Sequence, residues 1–133
     1  MPKILLVEDN DASADALARR LERRNFSVVI AQDGHQAVSL ARSEQPDVVL
    51  MDLGLPGIDG WDATAILKAD ITTGHIPIIV LSAHAMPNDR HQALAAGGDD
   101  FDTKPVVFDR LLGKIETLLT MKRGGVSASV SCT

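Results

Sequence analysis

The 133-residue sequence has one cysteine, no long apolar run and no excess of positive charge. The lone Cys132 excludes an intrachain disulfide and fits a reducing compartment. No apolar stretch approaches the roughly 20 residues that a bilayer-spanning helix needs, so membrane insertion is not expected. A formal net charge of -5 argues against nucleic acid as a direct partner, because phosphate binding calls for a basic surface. His35, His75, His84 and His91 lack the spacing of a metal site and read as surface or loop residues. Met1-Pro2-Lys3-Ile4 enters a strand at once, which leaves no room for a signal peptide. A cytoplasmic location follows as the expectation, and the sequon Asn25-Phe26-Ser27 then reads as chance.

What is present suits one globular domain: 45% hydrophobic and 23% charged residues over a length that buries a single core. Five short apolar runs alternate with helical patterns. Ile4–Val7 is closed by Glu8-Asp9-Asn10-Asp11, and a helix follows with Leu17 and Leu21 on its apolar side and Ala14 and Ala18 alongside. Arg19, Arg20, Arg23 and Arg24 form a basic face on it, read as a solvated face near a helix C-terminus; the alternative is a contact for an acidic partner. Phe26–Ala31 is the second strand. Asp33 and Gln36 are spaced as a capping box for a helix from Gly34 to Glu44. Val48–Met51 is the third strand, followed by a Gly/Pro-rich loop and a helix containing Trp61, whose ring is expected on the adjacent strand. Ile76–Leu81 is a central strand with Pro77 at its entry, ending at Ser82-Ala83-His84. A short Ala-rich fourth helix is expected over 88–96. Phe101-Asp102-Thr103 is a brief fifth strand closed by Lys104-Pro105. The fifth helix carries Phe108, Leu111, Leu112, Ile115, Leu118 and Leu119 at helical spacing. The domain is expected over 1–122, with 123–133 a polar, aperiodic, flexible tail.

This alternation predicts a parallel sheet covered by helices on both faces, with ligands bound beyond the carboxyl ends of the strands. The residues closing four of the strands are Glu8 with Asp9, Asp52, Ser82 and Lys104, and they are expected to meet at one edge. Asp52 comes too early to cap the next helix, because an irregular loop intervenes. Two unit charges ~4 Å apart repel by about 4 kcal/mol at an effective dielectric near 20, so three crowded acids need a proton, a lysine or a divalent cation. Lys104 offers one positive charge. Oxygen ligands without His or Cys suit a hard ion such as Mg²⁺, which brings the local charge close to zero. A structural salt-bridge cluster is the alternative, but folding does not require three acids at one edge. A charge-balanced carboxylate beside a lysine and a hydroxyl suits phosphoryl transfer: Asp52 attacks phosphorus, Lys104 balances the equatorial oxygens, and Ser82 and the Ala83 backbone N–H donate hydrogen bonds to them.

These motifs, with Met-Asp-Leu-Gly-Leu-Pro-Gly-Ile-Asp-Gly around Asp52, resemble the receiver domain of response regulators in two-component signalling over about Lys3 to Lys122. The resemblance implies a flavodoxin-like (βα)5 fold: a doubly wound, five-stranded parallel sheet of order 2-1-3-4-5. It implies that a histidine kinase or phosphotransfer protein phosphorylates Asp52. It further implies Mg²⁺ held by Asp9, Asp52 and the Gly54 carbonyl, with Glu8 acting through water, and a cis Lys104-Pro105 bond. Ser82 and Phe101 are then the switch pair; Phe101 lacks the hydroxyl of a tyrosine, so the switch works by packing. Gly54 leaves room for an attacking water. Val106 stands where relatives often carry Phe. The expected product is a phosphoacceptor without a separate effector enzyme, read by a protein target on the face of the fourth helix, fifth strand and fifth helix. It would be a monomer or a weak phosphorylation-dependent dimer.

Other classes fit less well. A flavodoxin-type electron carrier needs a Ser/Thr/Gly-rich phosphate loop where this chain has Glu8-Asp9. A haloacid-dehalogenase-type phosphatase needs a second Asp two residues on, where Gly54 stands, and a cap domain. A constitutive interaction adaptor would not need Asp9, Asp52, Ser82 and Lys104 together. The receiver part of a hybrid kinase is a further alternative to a free-standing regulator, which Met1 directly before the first strand favours.

Overall fold

The computed structural model describes residues 2–52, 60–82, 97–103 and 106–131, with the side chains of 60, 61 and 121–131 left aside. Five strands, β1 (Lys3–Val7), β2 (Ser27–Ala31), β3 (Val48–Asp52), β4 (Ile78–Ser82) and β5 (Asp100–Thr103), form one parallel sheet in the order β2-β1-β3-β4-β5. Among the described residues the helices are α1 (Asp11–Glu22), α2 (Gly34–Glu44), α3 (Gly60–Ala69) and α4 (Phe108–Ser131). The helix expected over 88–96 lies outside the described residues. The order and parallel sense are those of the flavodoxin-like doubly wound fold.

Every residue of β3 and β4 is buried, as two-sided cover by helices demands of central parallel strands. Alternate residues feed two cores. One face packs Leu5, Val49, Met51, Ile78, Val80 and Phe101 against Ala37 and Ala41 of α2 and Ala63 and Leu67 of α3. The other packs Ile4, Leu6, Leu50, Ile79 and Leu81 against Ala14 and Leu21 of α1 and Phe108, Leu111, Leu112 and Ile115 of α4. The apolar stripe of the last helix is therefore what covers this second face. The α4 backbone continues to Ser131, into the segment that the sequence reads as a tail; the described stripe ends at Leu119.

Helix starts follow their local chemistry. The Asn10 side chain accepts from Ser13 N at 2.9 Å, and the Asp33 side chain accepts from Gln36 N at 2.8 Å. The Gln36 side chain reaches back to Gln32 N at 2.9 Å rather than to the cap residue itself, a one-residue variant of the expected box. Pro77 is buried immediately before β4, as its missing N–H requires.

Candidate functional site

Two crossovers bring the acids together. β1 lies beside β3 with Val7 level with Met51, so Glu8 leaves its strand where Asp52 ends the neighbouring one. The Glu8 amide still donates to the Ala31 carbonyl at 2.9 Å, which holds Glu8 at the sheet edge before the chain turns into α1. The carboxylate oxygens of Glu8, Asp9 and Asp52 include a set lying within 4.8 Å of one another. Glu8 and Asp52 are only 7% and 6% exposed, whereas Asp9 faces solvent. An all-oxygen set of three acids, two of them withdrawn from water, has the donor chemistry of a hard divalent cation and fits Mg²⁺.

Ser82 ends β4 one residue beyond Leu81, which is level with Asp52, and it is 3% exposed. It is level with Thr103 on β5. Ser82 therefore stands at the same edge as the acids. Lys104 follows Thr103 in sequence and lies outside the described residues, as do Gly54, Ala83, His84 and the Lys104-Pro105 bond. Phe101 is 5% exposed and packs in the first core beside Val80.

A cleft of about 260 Å³ opens beside the acids between α1 and Val106, lined by Glu8, Ser13, Ala16, Leu17, Arg20 and Leu81. A wider groove between α2 and α3, lined by His35, Val38, Arg42 and Ile66, contains none of these acids and has no part in the site. On α1 the basic face is partly absorbed within the fold. Arg19 pairs with Asp15 at 3.0 Å, and the Arg20 guanidinium lies 4.4 Å from the Phe108 ring centroid. That favours the solvated-face reading for these two arginines and ties α1 to the start of α4.

One buried acid carried no signal in the sequence. Asp102 is 4% exposed; its Oδ1 accepts from Thr103 N and pairs with the Arg110 guanidinium at 2.7 Å, while its Oδ2 has no hydrogen-bond partner among the described residues. An Asp and an Arg eight residues apart across a strand–helix loop have no periodicity to betray them.

The family model for the response regulator receiver domain matches residues 4–116. The chain is 38% identical to Protein PilH of Pseudomonas aeruginosa, with 90% of this chain and 98% of that protein covered. It is 35% identical to the DNA-binding dual master transcriptional regulator RpaA of Synechocystis, covering 90% of this chain and 49% of that one. The chain thus spans half or less of the length of the first curated relatives it matches. Among solved structures it resembles the receiver domain of sensor histidine kinase PA1611 from Pseudomonas aeruginosa, described with magnesium in its active-site cleft. The TM-score is 0.82 at 35% identity, over 89% of this chain and 97% of that one.

Proposed function

The chain belongs to the family of response regulator receiver domains, the phosphoacceptor modules of two-component signalling, and from this we propose that Asp52 is its phosphoacceptor. The supporting observation is the clustering of Glu8, Asp9 and Asp52 oxygens around the end of a fully buried strand. An Asp52 oxygen attacks phosphorus in line; the P–O bond forms as the P–N bond to a phosphohistidine breaks, and its electron pair returns to the imidazole. Burial keeps Asp52 fixed in its strand, so little reorientation is lost on reaction. Ser82 donates its hydroxyl to one phosphoryl oxygen, Ala83 N–H to another, and Lys104 balances their charge. Asp9, Asp52 and the Gly54 carbonyl would hold Mg²⁺, with Glu8 acting through water. Bound there, the ion supplies positive charge against the phosphoryl oxygens.

The partners that fit are a histidine kinase or phosphotransfer protein as donor, and a protein target reading β5, α4 and the helix expected over 88–96, which lies outside the described residues. The added charge, about two negative units, draws Ser82 inward and lets Phe101 repack. The packed domain is assigned to 1–122, with 123–133 an extension beyond the apolar stripe of α4, and the location to the cytoplasm. The alternative, the receiver part of a hybrid kinase, is supported by 38% identity to the sensor protein GacS over 12% of that protein.

The test offers wild type and Asp52→Asn to acetyl phosphate, or to a phosphorylated histidine kinase, with Mg²⁺. Hydroxylamine-sensitive label appears on wild type only; equal labelling of both would overturn the assignment.

A further inference from the structure

The two outer edges of the sheet are built on opposite principles. On β5, Asp100 is level with Ile79 and Asp102 with Leu81, so the backbone of Asp100 and Asp102 faces β4 and that of Phe101 and Thr103 faces outward. The outward N–H groups are taken by the acids that precede them: Phe101 N donates to the Asp100 side chain at 2.7 Å and Thr103 N to the Asp102 side chain at 2.8 Å. Lys114 donates to the Phe101 carbonyl and sits 3.6 Å from Asp100, while Arg110 pairs with Asp102 at 2.7 Å. Charged side chains at an edge are how sheets prevent further strands from adding.

Among the described residues, β2 has no such guard. Ser27 N donates to the Pro2 carbonyl and the Ala31 carbonyl accepts from Glu8 N, so Ser27, Val29 and Ala31 face β1. The outward positions are therefore Val28 and Ile30. Among the described residues β2 pairs with β1 alone, so no described strand lies opposite their N–H and C=O groups. The strand Ser-Val-Val-Ile-Ala has no charge, proline or glycine, and Ile30 is 39% exposed. Val28 and Val29 are half-buried, one against each core.

We propose that the β2 edge pairs with the β2 edge of a second copy of this chain, antiparallel about a two-fold axis at Val29. That register places Val28 opposite Ile30 of the copy, and Ile30 opposite its Val28, as hydrogen-bonded pairs. All four outward backbone groups of each strand are then satisfied, and a ten-stranded sheet results. Charge selects this occupant and this direction. Exposed Arg23 and Arg24 precede the strand; Asp33 follows it, and Asp11 is held there by Gln32 at 2.7 Å. Antiparallel pairing brings the basic end of each strand to the acidic end of the other, twice, whereas parallel pairing would align like charges. The pairing uses no residue of the acidic site and is independent of phosphorylation.

Sedimentation equilibrium of the full chain, from micromolar to near-millimolar concentration, tests this. Wild type shifts from monomer to dimer, while Ile30→Lys stays monomeric with an unchanged circular dichroism spectrum and melting temperature. In a Cys132→Ser background, Val29→Cys forms an interchain disulfide under mild oxidation, because the two-fold places the two cysteines opposite each other as a non-hydrogen-bonded pair. Wild type that remains monomeric throughout, or a dimer that Ile30→Lys leaves intact, overturns the proposal. So would a folded Val29→Cys protein that does not crosslink.

Discussion

Individual residues show which charges could be read from the chain and which could not. Asp52 was legible because a buried apolar run stops on it and an irregular loop follows; Glu8 and Asp9 were legible for the same reason. Asp70 was not, since its role depends on a turn after α3. The Thr72 backbone N–H and hydroxyl donate to it at 2.9 and 2.7 Å, and Arg42 of α2 pairs with it at 2.7 Å. Those hydrogen bonds, the backbone one foremost, hold its carboxyl down from the usual 3.8 to about 2. A depressed carboxyl contributes stability above its unfolded value and loses it as pH falls through the folded one, so this contribution fades between about pH 4 and 2. An NMR titration of the Asp70 carboxyl should show a midpoint near 2, and Arg42→Ala should raise it only part of the way. An ordinary midpoint in the wild type would show that the turn does not hold in solution.

Elements follow their sequence patterns except where a distant segment sets the limit. Gly97 adopts φ +106°, and a Cβ there would lie 2.8 Å from Cγ of Lys68. Lys68 cannot retreat freely, because its amine pairs with Asp99 and donates to the Ile76 carbonyl at 2.8 Å. Gly97→Ala should therefore cost about 1–3 kcal/mol in urea unfolding, from a strained backbone and a close contact together. Gly113 lies within α4 with nothing within 4 Å of a built Cβ. Gly113→Ala should stabilise by about 0.5–1 kcal/mol, through the helix propensity alone. The same substitution thus has opposite signs in one protein; equal shifts in the two midpoints would remove the Lys68 contact from the explanation.

Across the whole molecule, the site is a property of strand order. Glu8 and Asp52 are far apart in the chain and meet because β1 and β3 are neighbours in the sheet. A ligand that binds only this assembled cluster stabilises the fold by mass action, approaching about 2.7 kcal/mol at a hundredfold excess over its dissociation constant. MgCl₂ should accordingly raise the melting temperature of wild type and leave Asp9→Asn nearly unmoved. Without metal, Asp9→Asn should melt at or above wild type, since one of three mutually repelling charges is gone. A wild type indifferent to magnesium would remove the metal from the account of this edge.

The sequence by itself determined the alternation of strands and helices, the two-sided burial of the central strands and the acids at their ends. Each of these rests on local periodicity and on where an apolar run must stop. Tertiary structure decided which ends meet, where Arg20 comes to rest on Phe108, and that Asp102 is buried under Arg110. It also decided that one edge is guarded by charge while the other is left apolar. Those outcomes depend on contacts between segments distant in the chain, and the spacing of residues along one segment carries no record of them.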